Sequence, residues 1–264
     1  MAHRGGAGLA PENTMHAFRD AVERWDADML ELDVHLTSDS EVVVLHDDTV
    51  DRTTNGSGAV AGLTWQDVSR LDAGFHFEGA GGDFPFRGRG VGIPRLAEVL
   101  EAFPGMRLNV EVKAARAARP LVELVRAQGA EARVLVAAAN EADRRDARGY
   151  PGPWGASTGQ LRRFWVLHTT PLGVFYTPRC DVLQVPPTHQ GRAVITPAFV
   201  REAHRRNLPV HVWTVNDPAE MRRLLALGVD AIQSDRPDTL ARVLVEDRGR
   251  PPPPGLASMA PSPS

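Results

Sequence analysis

A chain of 264 residues can bury a sizeable core and lies near the ~250 residues of an eight-stranded β/α barrel. Its 30 basic and 33 acidic residues give a net charge of −3 and are spread along the chain, which excludes the basic footprint of a nucleic-acid binder. Cys180 is the single cysteine and forms no internal disulfide, no apolar run reaches the ~20 residues of a membrane span, and no secretory leader pattern opens the chain, so a cytoplasmic protein is expected.

In chain order, apolar runs of strand length alternate with segments of helical period, the pattern of parallel β/α units. Ala2 and His3 are the remnant of a first strand. A helix follows near 14–24, with Thr14 placed to cap it. Strands are expected at 29–34 (MLELDV) and 42–46 (VVVLH). Residues 49–93 are Gly-rich and lack long-range periodicity, so they form an insertion after the third strand. Trp65, Phe75, Phe77, Phe84 and Phe86 favour an ordered lid there, or a structural cap over one barrel end. A helix near 95–103 leads to strand 107–112 (RLNVEV), a helix near 119–128 and strand 133–138 (RVLVAA). Trp154 to Ser157 forms a short strand and 159–174 a helix, before strand 182–185 (VLQV). Pro197 opens a helix to 206, strand 210–215 (VHVWTV) follows, and Asn216 or Asp217 with Pro218 opens a helix to 227. Strand 230–233 and a helix near 238–246 complete the domain, 1–246. The Pro- and Ser-rich residues 247–264 are excluded from the fold as a disordered tail. These assignments offer nine strands for eight places, so one is wrong. Because Met1 and Ala2 supply too little chain for a paired first strand, the natural protein is expected to begin upstream of Met1, unless 154–157 fills that place.

Charge inside the strands points to chemistry. Residues i, i+2 and i+4 of a strand share a face, so Glu31 and Asp33 point one way from an apolar strand, as do Asn109, Glu111 and Lys113 from another. Carboxylates on a strand covered on both sides cost several kcal/mol each unless compensated. A buried arginine network would compensate any one of them. Three together, with a single lysine, fit one hard divalent cation held by oxygen, Mg²⁺ or Ca²⁺. Lys113 is also the only lysine, a point charge among arginine forks. His46 closes VVVLH and His3 precedes Gly5 and Gly6. Converging at one barrel rim, the two histidines suit a general acid and a general base. The other histidines are read as surface or core residues. Trp213 fills the core or forms a platform for an apolar substrate edge. Neither a nucleotide-binding glycine pattern nor a Gly-x-Ser-x-Gly elbow is present.

Ordered motifs extend this reading: His3-Arg4-Gly5, Pro11-Glu12-Asn13-Thr14, Glu31-Leu32-Asp33-Val34, His46-Asp47, Asp51-Arg52-Thr53-Thr54-Asn55-Gly56, Asn109-Val110-Glu111-Val112-Lys113, Val212-Trp213-Thr214-Val215-Asn216 and Asp235-Arg236-Pro237. In this order, from residue 2 to about 243, the chain resembles the glycerophosphodiester phosphodiesterase family. The resemblance implies a (β/α)8 TIM barrel in which Glu31, Asp33 and Glu111 hold the cation and His3 and His46 form the acid/base pair. Arg4 and Lys113 would neutralise the phosphate, and Glu12 would orient the site. The substrate implied is a small glycerophosphodiester. A lysophospholipase D-like enzyme, favoured by the Phe84–Arg89 loop, and a non-catalytic phosphate-ester binder are the alternatives. Two departures stand out: only Met1 and Ala2 precede His3, and Val136-Ala137-Ala138-Ala139 replaces an expected serine and aromatic.

Overall fold

The computed structural model describes residues 1–147 and 149–258. The longest strand, β1 (Met29–Leu36), is followed by β2 (Val42–Val44), β3 (Arg107–Val112), β4 (Val134–Ala137), β5 (Leu183–Val185), β6 (Thr188–His189), β7 (Arg192–Ala193), β8 (Val210–Val212) and β9 (Ala231–Ile232). β1, β3 and β4 are parallel neighbours, as are β5, β8 and β9, and helices separate successive parallel strands. The architecture is therefore α/β with parallel sheets. Isolated parallel bridges span both gaps between them: Ala2 pairs with Leu30 and with Ser234, while Trp154 pairs with Val136 and Gly155 with Val182. Ala2 and the 154–155 segment, both brief in the sequence, thus sit between the sheets.

The assignment of 42–46 as a parallel strand is corrected. β2 pairs antiparallel with β1, Val34 opposite Val44 and Leu36 opposite Val42. The connection 37–41 is the reason, since a parallel return needs about a dozen residues or more. Thr37 closes this tight turn, donating to Asp39 at 2.6 Å and accepting from the Glu41 N–H at 2.9 Å.

Apolar residues of the strands and helices form one core around β1, β3 and β4 and another around β5, β8 and β9. Helix starts follow their caps: Thr14 accepts from Ala17, Thr196 from Phe199 and Asp217 from Glu220. Segment 49–93 is ordered by a small core of its own, in which Val50, Val60, Val68 and Ile93 pack on Val43 and Leu45. Phe77 and Phe86 pack edge to face, and Phe84 lies under Arg87, whose guanidinium is 3.7 Å from its ring centroid.

The end of the chain also differs from the expected tail. The last long helix runs Pro237–Arg248, Arg250 pairs with Asp26 and Asp28, and the helix Pro254–Ala257 packs where a Cβ on Gly255 would lie 2.6 Å from Trp25. Of the expected tail, residues 259–264 lie outside the described residues. No helix among the described residues is long and apolar enough to cross a membrane.

Candidate active site

Register builds the site. Glu31 lies opposite Asn109 and Asp33 opposite Glu111, so two adjacent parallel strands place their polar residues side by side. All line a cavity of about 330 Å³ together with His3, Arg4, His46, Lys113 and Trp213. Glu31, Asp33 and Glu111 each offer an oxygen within 4.8 Å of the others. Glu31 and Asp33 are 2% and 1% exposed, so solvent does little to screen them. Burial, then the nearby Asp33 and Glu111, pushes the Glu31 carboxyl well above its ordinary value. The ammonium of Lys113 lies 3.0 Å from Asp33 Oδ1 and 3.0 Å from Glu111 Oε2. Burial alone would lower its pKa, but the two carboxylates outweigh that and raise it. Three oxygen donors of one sign, incompletely balanced, have the chemistry that a hard divalent cation requires.

The entry loop holds Arg4 by its backbone. Arg4, Gly5 and Gly6 all have left-handed φ values (49°, 83° and 100°), and a Cβ on Gly5 would come within 2.8 Å of Ala17. This turn aims the Arg4 N–H at Glu31 Oε2, 2.8 Å away, and sets its Nε 3.4 Å from Asp33 Oδ2. Asn13 donates to Asp33 Oδ2 at 3.0 Å and accepts from the Asp33 N–H at 3.3 Å, fixing that carboxylate from the side.

Each histidine has its own carboxylate. His3 Nδ1 is 2.6 Å from Asp235 Oδ1, and Asn216 donates to Asp235 Oδ2 at 2.8 Å. Burial would raise the Asp235 pKa, but its bonds to His3 and Asn216 lower it. Because Asp217 caps the following helix, the Asn216 side chain is free for this task. His46 Nδ1 lies 2.7 Å from Asp47 Oδ1. Asp47 accepts from Arg52, which holds its pKa far below the carboxylate range. An ionised carboxylate only accepts, so Nδ1 of each ring donates to its carboxylate and Nε2 is the atom left to take up or deliver a proton. His3 Nε2 is 4.0 Å from Glu31 Oε2. His35, read from sequence as incidental, props this side: its Nε2 lies 3.1 Å from the His46 carbonyl.

The structure thus brings His3, Arg4, Glu31, Asp33, His46, Glu111, Lys113 and Trp213 to one cavity, with Glu12 bonded behind Arg4 at 2.9 Å. Trp213 is 42% exposed on the wall, which removes the core-filling alternative. His211, two residues earlier in the same segment, is half-buried, and desolvation lowers its pKa to about 4. No residue of 49–93 lines this cavity. Sequence reasoning missed Asn13, Asp47, Arg52, Asn216 and Asp235 as site residues, although each lies within a motif quoted above.

An α/β fold thus gathers clustered carboxylates, carboxylate-oriented histidines and two cationic side chains at one cavity, the side-chain types that acid/base chemistry on an anionic ester needs. Comparison with known proteins agrees. The model of the glycerophosphoryl diester phosphodiesterase family matches residues 3–149 and 166–239. A probable glycerophosphodiester phosphodiesterase 2 of Mycobacterium tuberculosis is 36% identical over 93% of this chain and 90% of its own length. A human lysophospholipase D is 28% identical over 91% of this chain and 85% of its own. Among solved structures, an Agrobacterium tumefaciens glycerophosphodiester phosphodiesterase superposes with a TM-score of 0.74 at 28% identity, covering 91% of this chain and 97% of that one. An Oleispira antarctica phosphodiesterase, solved with the product sn-glycerol-3-phosphate, gives 0.73 at 25% identity over 92% and 95%. The chain belongs to the glycerophosphoryl diester phosphodiesterase family.

Proposed function

We propose that this protein is a divalent-cation-dependent phosphodiesterase that hydrolyses glycerophosphodiesters to an alcohol and glycerol 3-phosphate. The observation that carries the reading is the pair of histidines, each held through Nδ1 by its own carboxylate, at one cavity with three carboxylates and Lys113. The catalytic domain is read as a (β/α)8 barrel, in which Ala2 and residues 154–155 complete the ring begun by β1, β3, β4, β5, β8 and β9.

Glu31, Asp33 and Glu111 would hold the cation, Mg²⁺ or Ca²⁺. When bound, it offsets the negative charge by which a phosphodiester repels its attacker. Arg4 and Lys113 offset the same charge from their own positions on the cavity wall. One histidine removes a proton from the attacking oxygen at Nε2 as the new P–O bond forms. The other delivers a proton to the departing alkoxide as the ester bond breaks, so no free alkoxide leaves. Trp213 and Ala137–Ala139 form the apolar wall against which the substrate alcohol rests.

The test is a screen of glycerophosphocholine, glycerophosphoethanolamine, glycerophosphoglycerol and lysophospholipids with each ion, scored for released alcohol. Absence of turnover on all of them with both ions refutes the reading. Likeness to the human lysophospholipase D favours the lysolipid arm. The Phe84–Arg89 loop does not, because none of its residues lines the cavity.

A further inference from the structure

Arg52 has no place in the chemistry above and does not line the cavity. Its guanidinium nevertheless joins two carboxylates that face different catalytic groups. Along one edge, Nε donates to Asp47 Oδ2 at 2.6 Å and Nη2 to Asp47 Oδ1 at 3.1 Å. Along the other, Nη1 donates to Glu12 Oε2 at 2.9 Å and Nη2 to Glu12 Oε1 at 2.7 Å. Asp47 continues to His46 Nδ1, and Glu12 accepts from Arg4 Nη1 at 2.9 Å. The result is an unbroken chain, His46, Asp47, Arg52, Glu12, Arg4, running behind the cavity wall. His3 has no such link, since its Asp235 is held by Asn216.

We infer that Arg52 is a positioning residue that ties the orientation of the His46 imidazole to that of the Arg4 guanidinium, so that proton transfer and phosphate binding share one geometry. This rests on the hydrolase reading above. A planar fork with five donors can grip two carboxylates bidentately, whereas the single ammonium of lysine cannot. Both carboxylates are held ionised: Asp47 by Arg52 first, and Glu12 by Arg52 and Arg4 against the opposing effect of burial. The backbone beneath Arg52 has its own support, since Val50 N–H donates to Gly58 at 3.0 Å and Thr54 Oγ1 to Val50 at 2.7 Å. Removing the side chain should therefore leave the loop in place. At 48% exposure, the emptied position is open to a small solute.

The experiment compares Arg52→Ala and Arg52→Lys with wild type on a glycerophosphodiester, with melting temperatures and imidazole ¹⁵N spectra. Residues supporting a catalytic group typically matter by about 10–100-fold, and kcat/KM should fall by that factor in both variants with melting near wild type. Methylguanidinium should restore Arg52→Ala saturably. In the Glu12→Gln, Asp47→Asn background, adding Arg52→Ala should cost about twofold or less, because members of one network are not additive. His46 should lose its single Nδ1–H tautomer in Arg52→Ala while His3 keeps its own. Full activity of Arg52→Lys, failure of methylguanidinium rescue, or an unchanged His46 tautomer would each overturn the inference. A wild type inert on every diester refutes the hydrolase reading instead, and the ¹⁵N spectra still decide the role of Arg52.

Discussion

Replacing Glu31 by Gln should make the cation-free protein more stable and the cation-loaded protein no more stable than the free one. Glu31 is 2% exposed, and its partners are few: it accepts from the Arg4 N–H at 2.8 Å, and the His3 ring lies 4.0 Å away. Around it, the three carboxylates face two cations, Arg4 and Lys113, which leaves one negative charge unbalanced. Like charges ~5 Å apart at an effective dielectric of about 20 repel by roughly 3 kcal/mol per pair. Lys113 offsets part of that, so neutralising Glu31 should stabilise the stripped protein by ~1–3 kcal/mol. Gln keeps an oxygen for the Arg4 N–H. The sign with pH follows from the raised pKa: the stability of the neutral Glu31 carboxyl is fully present below its ordinary 4.5 and is lost as pH rises through the folded value. The gap between Glu31→Gln and wild type should therefore widen toward alkaline pH. The assay is thermal melting with a chelator and with Mg²⁺ or Ca²⁺, where each kcal/mol moves the midpoint by about 2–4 °C. A cation at 100 times its Kd adds about 2.7 kcal/mol to wild type and should add nothing to the variant. If Glu31→Gln melts below wild type in chelator and keeps the full cation shift, the reasoning about this carboxylate is wrong.

Other expectations follow from the same geometry. Lys113→Met should act in the opposite sense to Glu31→Gln, lowering cation-free stability by about 1–3 kcal/mol in urea denaturation, because Asp33 loses its 3.0 Å partner. His3→Ala and His46→Ala should each reduce single-turnover rates by ~10²–10⁴-fold with unchanged melting, and two structural histidines would show the reverse. Asp235→Asn should cost about 10–100-fold by releasing the His3 ring, measured as kcat at saturating substrate. Gly255→Val should lower the melting temperature and red-shift Trp25 fluorescence, since its Cβ meets Trp25 at 2.6 Å and Arg24 at 2.8 Å.

What the sequence discloses about the fold depends on how far each signal reaches. Val42 to Leu45 has the apolar character of a buried strand, and it is buried, but periodicity says nothing about the direction of its partner. The turn at 37–41 does, being too short for a parallel return. Ala2 and residues 154–155 take their places through isolated bridges, too brief for any two-residue period to register. The terminal segment departs from expectation for a related reason. A proline run lacks the apolar area to fold alone, yet Arg250 finds Asp26 and Asp28, and Gly255 finds Trp25, on a surface distant in sequence.

In the site, legibility divides by context. Glu31, Asp33, Glu111 and Lys113 conflict with the apolar strands that carry them, and a charge where burial is expected demands an explanation on its own. Asn13, Asp47, Arg52, Asn216 and Asp235 lie in loops, where polar side chains are ordinary and solvent alone would satisfy them. Only the folded chain shows that Asp47 and Asp235 both end on a histidine Nδ1, at 2.7 and 2.6 Å. The clustered carboxylates and Lys113 can thus be found from an energetic contradiction along two neighbouring strands. The groups that aim them are found only where loops meet, because their meaning lies in a partner that spacing along the chain does not specify.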